Sequence, residues 1–385
     1  MLILVGFFLF LQGAHSMKFR VKRNMLLTEL NLVQGVVEKR SPIPILSNIL
    51  IACSGEHLDI TATDLDVTIR CGCPALVEEE GVTTVPARRV FDIVRLLPEG
   101  SDIEFCLLEN DLVELSSGNS KFKVMALPRE NFPSIPEGAP AIAMIPGSLV
   151  KNMIQRVMFA ITQEEARFSL NGALLVLIPG EIRMVATDGH RLALVSKGIE
   201  MPGLETEVRV LVARKALVEI LKMIADQDVM MEFARDQNHL FFSVGNKKII
   251  SRIMASQFPN YELVIPRDND KYIVAETKML GDAIRRAAVM SDEKLKAVRL
   301  AIKSGVIDLT ASSSEAGEAH ETVPVEYEGD NLEIGFNPLY LLDFINVCAS
   351  DSISIALKDS ETQGLFRPIG GSDLDYRYVV MPMKF

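Results

Sequence analysis

The sequence predicts an α+β protein built from three copies of one domain, in which helices pack on antiparallel sheet. The first observation is an internal repeat: ITATDL at residues 60–65 resembles VATDGH at 185–190, and IDLTAS at 307–312 is a weaker third copy. The second is that helix and strand patterns follow one another in the same order within each copy. The third is length, because 385 residues are too many for one ordinary core and suit two or three domains.

Further landmarks place the domain boundaries. VPARR at residues 85–89 matches LVARK at 211–215, and GFNP at 335–338 takes that place in the third copy. The first two copies close with NFP at 131–133 and QFPNY at 257–261. We therefore predict three domains of ordinary size, at residues 17–140, 141–268 and 269–385.

Within the first copy, a short strand is predicted at residues 18–21. Four apolar residues at helical spacing then share one face: Leu26, Leu30, Val33 and Val37. Alternating residues predict a strand at 58–62, a second helix runs from 90 to 97 until Pro98-Glu99-Gly100 ends it, and another strand follows at 121–124. The order is a strand, a helix, several strands, a helix and strands again.

Basic residues recur on the predicted helices, off their apolar stripes. They are Arg23, Lys39, Arg40, Arg88, Arg89 and Arg95 in the first copy, Lys151, Arg156, Lys215 and Lys222 in the second, and Lys278 and Arg285 in the third. One basic helix face is ordinarily only solvated. Its repetition in a chain of net charge −11, whose acids gather in strands and loops, favours a protein that binds a phosphate backbone on one surface and repels it elsewhere.

No motif in the sequence is typical of an enzyme. It carries no phosphate-binding, dinucleotide-binding, zinc-protease or serine-hydrolase signature. Asp188 and His190 could form a catalytic pair, but we favour a turn in which Asp188 bonds its own backbone, because Asp64 holds the same repeat position. Cys71 and Cys73 could hold a metal, but we favour buried structural thiols.

Residues 1–16 stand apart from the repeats. Their apolar run at 2–11 has the length of a signal-peptide core and is too short to cross a bilayer, but no Lys or Arg precedes Lys18. We interpret the segment as a mis-assigned start or a non-native remnant, since Met17 opens the first predicted strand. An exported or membrane-tethered binding protein is the alternative to the cytoplasmic protein that we expect.

From Met17 onward the sequence resembles the beta subunit of bacterial DNA polymerase III, the sliding-clamp family. The motifs that carry this resemblance are PILSN at 44–48, VPAR at 85–88, TDGHRLA at 187–193, FPNY at 258–261 and YVVMPM at 378–383. Together they extend over essentially the whole chain. The TDGHRLA run and the VVMPM ending are the most specific of them.

The resemblance implies a head-to-tail homodimer that closes into a ring around duplex DNA. Helices of its three DNA-clamp domains per subunit would line a central hole, with antiparallel sheets outside. It implies DNA contacts, independent of base sequence, from Arg40, Arg167, Arg214 and Lys215. It also implies a dimer interface that joins Phe122 and Val124 of one subunit to Val289 and Met290 of the other. It implies no catalytic residue, cofactor or metal.

The resemblance further implies a hydrophobic groove between the second and third domains. The groove would take short linear peptides from polymerase subunits, the clamp loader and repair proteins. Its residues would be Leu170, Thr187, Gly189, His190, Arg191, Leu192, Pro259, Val264, Asn337, Tyr340, Val379 and Met381. Aliphatic and Met side chains suit a pocket that accepts varied partners, although Val379 and Met381 could instead be plain core.

Three features depart from the family pattern. They are residues 1–16, Glu164 near the expected DNA contacts, and the stretch 361–368. The last lies at the second half of the groove, where it bears on peptide preference.

Overall fold

The computed structural model describes residues 17–37, 42–164, 166–224, 229–291, 297–313 and 317–384. They form two compact units. Unit 1 comprises the described residues of Met1–Met144 and Val218–Arg252, and unit 2 those of Ile145–Leu217 and Ile253–Phe385. Residues 1–16, which we interpreted from sequence alone, lie outside the described part of the chain.

The elements recur three times in one order, with one additional strand, β5, in the first copy. The first copy consists of β1 (Met17–Lys22), α1 (Arg23–Val33), β2 (Asn48–Ser54), β3 (His57–Thr63), β4 (Val67–Pro74), β5 (Leu76–Glu79), β6 (Gly81–Pro86), α2 (Ala87–Leu96), β7 (Asp102–Leu108), β8 (Leu112–Ser117) and β9 (Ser120–Met125). The second consists of β10 (Ala141–Pro146), α3 (Gly147–Val157), β11 (Gly172–Ile178), β12 (Glu181–Thr187), β13 (Arg191–Gly198), β14 (Val208–Ala213), α4 (Arg214–Met223), β15 (Met230–Arg235), β16 (His239–Val244) and β17 (Lys247–Arg252). The third consists of β18 (Lys271–Glu276), α5 (Thr277–Ala288), β19 (Val298–Lys303), β20 (Val306–Ser313), β21 (Gly317–Glu326), β22 (Leu332–Phe336), α6 (Pro338–Val347), β23 (Ser352–Leu357), β24 (Gly364–Ile369) and β25 (Asp375–Val380). The predicted threefold α+β organisation is therefore confirmed.

The described strands form three sheets. Their strand orders are β5-β1-β7-β8-β9, then β10-β15-β16-β17-β4-β3-β2-β6, and finally β14-β11-β12-β13-β25-β24-β23-β18-β21-β20-β19-β22. The last strand of the second copy, β17, pairs with β4 of the first copy, and β25 of the third copy pairs with β13 of the second. Both pairings are antiparallel. Because each joins strands of two different copies, these sheets are shared between copies. The boundaries near residues 140 and 268 remain predictions.

The α-helices of the described residues are short and amphipathic. They run for 10 to 12 residues, and none is long and apolar enough to span a membrane. Each buries an apolar stripe on its sheet, as Val90 and Val94 do on α2, while Arg88, Arg89 and Arg95 stay exposed. The basic helix faces predicted from the sequence are therefore exposed on α2.

Helix α1 ends earlier than predicted. Leu26, Leu30 and Val33 are buried on one face, but the helix stops at Val33 and Val37 lies beyond it. The backbone at Gly35 packs closely on the side chain of Glu219, where an added Cβ would lie 2.2 Å from Oε1. The chain turns at this contact and does not continue as a helix.

Arg156 on α3 does not present its charge to solvent as the other basic helix residues were expected to do. It is 7% exposed, and Nη1 donates to the carbonyl oxygen and to Oδ1 of Asn152, one turn earlier, at 3.2 and 3.0 Å. The Tyr376 hydroxyl donates to the Arg156 carbonyl at 2.8 Å. Arg156 thus belongs to the interior of unit 2, because its guanidinium is satisfied by its own helix.

Candidate peptide-binding groove

A tight turn between β12 and β13 forms one wall of the candidate groove. Asp188 Oδ1 accepts hydrogen bonds from the backbone N–H groups of His190 and Arg191, both at 3.0 Å. Thr187 Oγ1 donates to the Arg191 carbonyl at 2.6 Å and accepts from the N–H of Gly189 at 3.1 Å. Gly189 has a φ of +91°, which glycine adopts without strain. The predicted turn-forming role of Asp188 is confirmed.

The first copy repeats this turn between β3 and β4. Asp64 Oδ1 accepts from the N–H groups of Asp66 and Val67 at 3.0 and 2.7 Å, and Thr63 Oγ1 accepts from Leu65 N–H at 3.1 Å. Leu65, in the position of Gly189, has a φ of +80°. The similarity between residues 60–65 and 185–190 therefore reflects one local structure that is used twice.

Arg191 ties the turn to helix α6. Its side chain is 9% exposed, and Nε donates to Asp188 Oδ2 at 2.9 Å while Nη1 donates to Asp343 Oδ2 at 2.6 Å. Nη2 donates to the Phe159 carbonyl at 2.6 Å, and the guanidinium lies over the Tyr340 ring. Burial alone would lower the pKa of Arg191, but Tyr378, Asp343 and Asp188 raise it, so the group stays charged. Because the Arg191 guanidinium is engaged by these hydrogen bonds, it holds the groove wall in place and is not available to bind a partner.

The groove is a mostly apolar cavity of about 140 Å³ within unit 2. Its lining consists of Leu170, Thr187, Gly189, His190, Arg191, Leu192, Pro259, Tyr261, Val264, Val379 and Met381. Ten of the twelve residues predicted for the groove thus converge on one cavity, although they come from four separate stretches of the sequence.

Val379 and Met381, for which the sequence left two interpretations open, differ in the structure. Val379 is 1% exposed and belongs to a buried cluster with Leu192 and Tyr261. Met381 is 39% exposed at the end of the chain's last strand, where its N–H donates to the His190 carbonyl at 2.9 Å. Val379 is therefore a core residue that also lines the bottom of the cavity, whereas Met381 lines its side and is partly exposed to solvent.

Asn337 and Tyr340, the other two predicted residues, do not line this cavity. Asn337 caps α6, where its Oδ1 accepts from the N–H of Leu339 at 3.0 Å. Tyr340 supports the Arg191 guanidinium with its ring, and its carbonyl accepts from the Tyr378 hydroxyl at 2.9 Å. Tyr340 therefore supports the wall that Arg191 forms, whereas Asn337 caps the helix that carries Tyr340.

Tyr261 lines the cavity but was not among the predicted groove residues. It is 2% exposed and follows Pro259-Asn260 in the FPNY motif. The signal was present, since an aromatic residue two positions after a predicted groove proline is well placed to share its surface.

The four residues predicted to contact DNA have different surroundings from one another. Arg40 lies outside the described residues. Arg167 Nε pairs with Glu164 at 2.8 Å, and its Nη1 donates to the Asp188 carbonyl at 3.0 Å, so it braces the groove turn. Arg214 and Lys215 open helix α4 and are partly exposed. Glu164 thus neutralises one predicted DNA contact.

The residues predicted for the dimer interface lie on an edge strand and a helix end. Phe122 and Val124 are on β9, at the edge of the five-stranded sheet, but Val124 is only 2% exposed. Val289 is 77% exposed, and both it and Met290 lie in the turn that follows α5. The backbone edge of β9 and the side chain of Phe122 are available for contact with a second subunit, whereas the side chain of Val124 is already buried.

The described residues show no sign of catalytic or metal chemistry. His190 is exposed and contacts Asp188 through its backbone N–H, as the turn requires. No group of three His, Cys, Asp or Glu side chains in the described ranges could hold a metal. Cys71 and Cys73 are buried free thiols, and burial raises the pKa of Cys73 to about 12. The structure therefore agrees with the turn and buried-thiol interpretations.

Comparisons with known proteins agree with this geometry. Three models of the DNA polymerase III beta subunit match the chain, the N-terminal domain at residues 17–136, the central domain at 144–260 and the C-terminal domain at 262–384. The chain belongs to the DNA polymerase III beta subunit family. It is 38% identical to the beta sliding clamp of Pseudomonas aeruginosa over 371 residues, which are 96% of this chain and all of the relative. It is 35% identical to that of Escherichia coli over 373 residues, with the same coverage.

Solved beta sliding clamps share the fold. One from C. crescentus, with PEG bound, superposes with a TM-score of 0.92 at 34% identity and covers 97% of this chain and all of its own. One from Pseudomonas aeruginosa, bound to griselimycin, has a TM-score of 0.90 at 37% identity and covers 96% of this chain and all of its own. Beta subunits of this family are non-catalytic processivity factors. The protein is accordingly a sliding clamp of DNA replication whose partners are DNA and a polymerase.

Proposed function

We propose that the protein encircles duplex DNA as a head-to-tail homodimer and tethers proteins to it through the groove. The partners would be polymerase subunits, the clamp loader and repair proteins, each of which would insert a short linear peptide, and the protein would act in the cytoplasm. The observation that carries the proposal is the convergence of ten predicted groove residues on one apolar cavity.

The groove has the chemistry that a shared peptide site needs. Leu192 and Val379, which are packed in the buried cluster, form a rigid bottom of the groove. Met381 forms a flexible and partly exposed side. Met side chains adjust to ligands of different shape, so one groove can serve several peptides in turn. A sliding clamp from Pseudomonas aeruginosa, 37% identical to this chain, binds griselimycin, and we take this ligand as a probe of the groove.

Strand pairing within the chain supports head-to-tail closure. β17 ends the second copy and pairs with β4, as Lys248 with Arg70, and β25 ends the third copy and pairs with β13, as Val380 with Arg191. By the same rule β9, which ends the first copy, should pair with β21, the third copy's counterpart of β4 and β13. The outer edge of β9 and that of residues 317–323 of β21 have no partner strand among the described residues.

Two subunits can satisfy both edges reciprocally, which closes the assembly with no free edge. The strands also differ in charge: β9 carries Lys121 and Lys123, which lie 3.4 and 3.8 Å from Glu114, whereas β21 carries Glu318 and Glu321, of which Glu321 pairs with Arg286. Pairing of β9 with a second β9 would set lysines against lysines, and this favours β9 against β21.

Retention on circular DNA tests encirclement. The protein is loaded onto a nicked circular plasmid by its clamp loader and separated by gel filtration, before and after a single-site nuclease linearises the plasmid. We expect co-elution with the circle and release from the linear form, because a ring without tight contacts slides off an open end. Equal retention on both forms, or a monomer by light scattering at micromolar concentration, would contradict the proposal.

A further inference from the structure

The sheet face beneath the groove continues into a second cavity of unit 2. This cavity encloses about 470 Å³ and shares Tyr261 with the groove. On β13, Leu192 faces the groove, whereas Leu194 and Ser196, two and four residues further on, line the second cavity. We call it the arginine cavity, because Arg183, Arg267, Arg367 and Arg377 line it.

Two of these arginines are already neutralised by neighbours on their own strands. Arg183 donates to both carboxylate oxygens of Glu181 at 2.7 and 2.8 Å. Arg377 Nε donates to Asp375 Oδ2 at 3.0 Å. These pairs hold the carboxylates of the cavity wall and remove most of their repulsion toward an incoming anion.

The other two arginines are available. Arg267 and Arg367 are exposed and make no ion pair with any described residue. The remaining acid of the lining, Glu262, approaches Arg183 only at 3.8 Å and is itself half exposed. Once the Arg183–Glu181 and Arg377–Asp375 ion pairs are counted as neutral, the charged groups left in the lining are two guanidinium groups and one carboxylate. The cavity is therefore locally positive, although the chain as a whole has a net charge of −11.

A buried hydroxyl without a hydrogen-bond partner lies at the wall between the groove and the arginine cavity. Tyr261 is 2% exposed, and its hydroxyl makes no hydrogen bond to any described residue. The hydroxyl lies near enough to Arg183 to contribute to that group's raised pKa, whose largest cause is the Glu181 hydrogen bond, but no bond of good geometry joins the two. A buried polar group is costly unless water or a ligand group donates a hydrogen bond to it or accepts one from it.

Arg367 lies in the stretch 361–368, which we expect from the sequence to differ from the family pattern. It is two residues after Leu365, which packs against the buried cluster beneath the groove. A change of sequence beside a shared peptide site alters which peptides are preferred, because specificity is a difference of affinities.

We propose that the arginine cavity binds an acidic side chain of the partner peptide whose apolar residues occupy the groove. Arg267 and Arg367 supply the charge, and the Tyr261 hydroxyl supplies a donor at the wall common to both sites. Continuity with the groove points to a peptide as the source of the anion, since one extended segment can reach both sites across Tyr261. The inference rests on the proposed function of the groove and adds a charge preference to it.

The test compares three synthetic eight-residue peptides. Each has a central Leu-Phe pair, flanked by three Asp on its N-terminal side, by three Asp on its C-terminal side, or by Asn throughout. Affinities are measured by fluorescence anisotropy with the full-length protein at low salt, and griselimycin serves as the competitor. We expect one of the Asp peptides to bind about three- to tenfold more tightly than the Asn peptide, and salt to reduce this ratio.

Substitutions locate the source of the preference. The double variant Arg267→Gln with Arg367→Gln should bring the ratio close to one, and Tyr261→Phe should lower it. Arg235→Gln is the control for the loss of a single arginine, because Arg235 is an exposed arginine on β15 of unit 1 with no ion pair to a described residue. It removes one charge and should leave the ratio unchanged.

The outcomes separate the two proposals. If griselimycin displaces all three peptides but the ratio is one in the unsubstituted protein, the charge preference is overturned and the groove stands. If the ratio persists in the double variant, the arginine cavity is not its source, and the inference is overturned while the groove stands. If neither the peptides nor griselimycin binds, the groove assignment fails and the inference fails with it.

Discussion

The guanidinium carbon of Arg191 lies 4.3 Å from the centre of the Tyr340 ring, and the same side chain donates to Asp343 on α6. The groove wall and helix α6 are thus held by one largely buried cation. Arginine suits this position because a planar fork can stack and donate in several directions at once, whereas lysine cannot.

We expect Arg191→Lys to lower the free energy of unfolding by about 1–3 kcal/mol, since it keeps the charge but loses the stack and two of the hydrogen bonds. Binding of griselimycin should weaken as well. Urea unfolding followed by circular dichroism measures the first effect. The control is Arg299→Lys, an exposed arginine paired with Glu333, which should change stability by less than about 0.5 kcal/mol. Equal effects in both variants would contradict the role of Arg191.

Met381→Ala should weaken a groove-bound peptide by about 1–3 kcal/mol, because a partly exposed wall becomes buried on binding. Its effect on stability should be small, since 39% of the residue is already exposed. Met279→Ala is a matched control, because Met279 is 44% exposed on α5 outside the groove. Leu192→Ala should also weaken binding, but it is 1% exposed, so it should cost about 2–5 kcal/mol of stability in addition. Unchanged affinity in both groove variants would show that the groove is misplaced.

Gly189→Ala should destabilise unit 2 by about 1 kcal/mol, because the residue has a positive φ that L-residues adopt at a cost. The added Cβ would also meet Arg167 Nη1 at 3.2 Å. Leu65→Gly is the reverse substitution at the equivalent position of unit 1. It should relieve backbone strain, because Leu65 has a φ of +80°. We expect it to be neutral or to stabilise by up to about 0.5 kcal/mol, after the greater freedom of the unfolded glycine is counted. Denaturant titrations of both variants measure the difference.

Changing Arg214 and Lys215 to Ala should lower DNA affinity and flatten its salt dependence, as expected when phosphate contacts are lost. The measurement is binding to a duplex oligonucleotide over a series of salt concentrations. Arg299→Ala with Lys303→Ala on β19 removes the same charge elsewhere and is the control. A loss of affinity with an unchanged salt slope would argue against phosphate contact by α4.

Cysteine reactivity should follow burial. At pH 8 we expect Cys106, which is partly exposed, to react first with a disulfide reagent such as DTNB. Cys73 should react only on unfolding, because burial raises its pKa to about 12 and keeps it protonated at that pH. Cys106→Ser should remove the fast phase. Rapid labelling of Cys73 in the folded protein would contradict its placement in the core.

Features that depend on local pattern were predictable from the sequence. The repeat, the strand and helix order and the Asp188 turn each follow from residues that are neighbours in the chain. Most groove residues followed from motifs matched one by one to a family. Contacts between distant segments were not predictable, because no local pattern specifies that Arg191 finds Asp343, 152 positions away.

The differences from the predictions have more than one origin. Gly35, just past the end of α1, packs on Glu219 of another repeat copy, whereas the hydrogen-bond partner of the buried Arg156 lies on its own helix. Tyr261 lines two cavities, and the sequence alone does not show that they share a residue, although its place in the FPNY motif was a signal.

The Asp64 and Asp188 turns share their backbone hydrogen bonds but carry different residues immediately afterwards. Asp66, Val67 and Thr68 in unit 1 take the places of His190, Arg191 and Leu192 in unit 2. The same turn backbone therefore presents different side chains in the two units. Recognition can diverge through substitutions at these positions while the backbone of the turn stays the same.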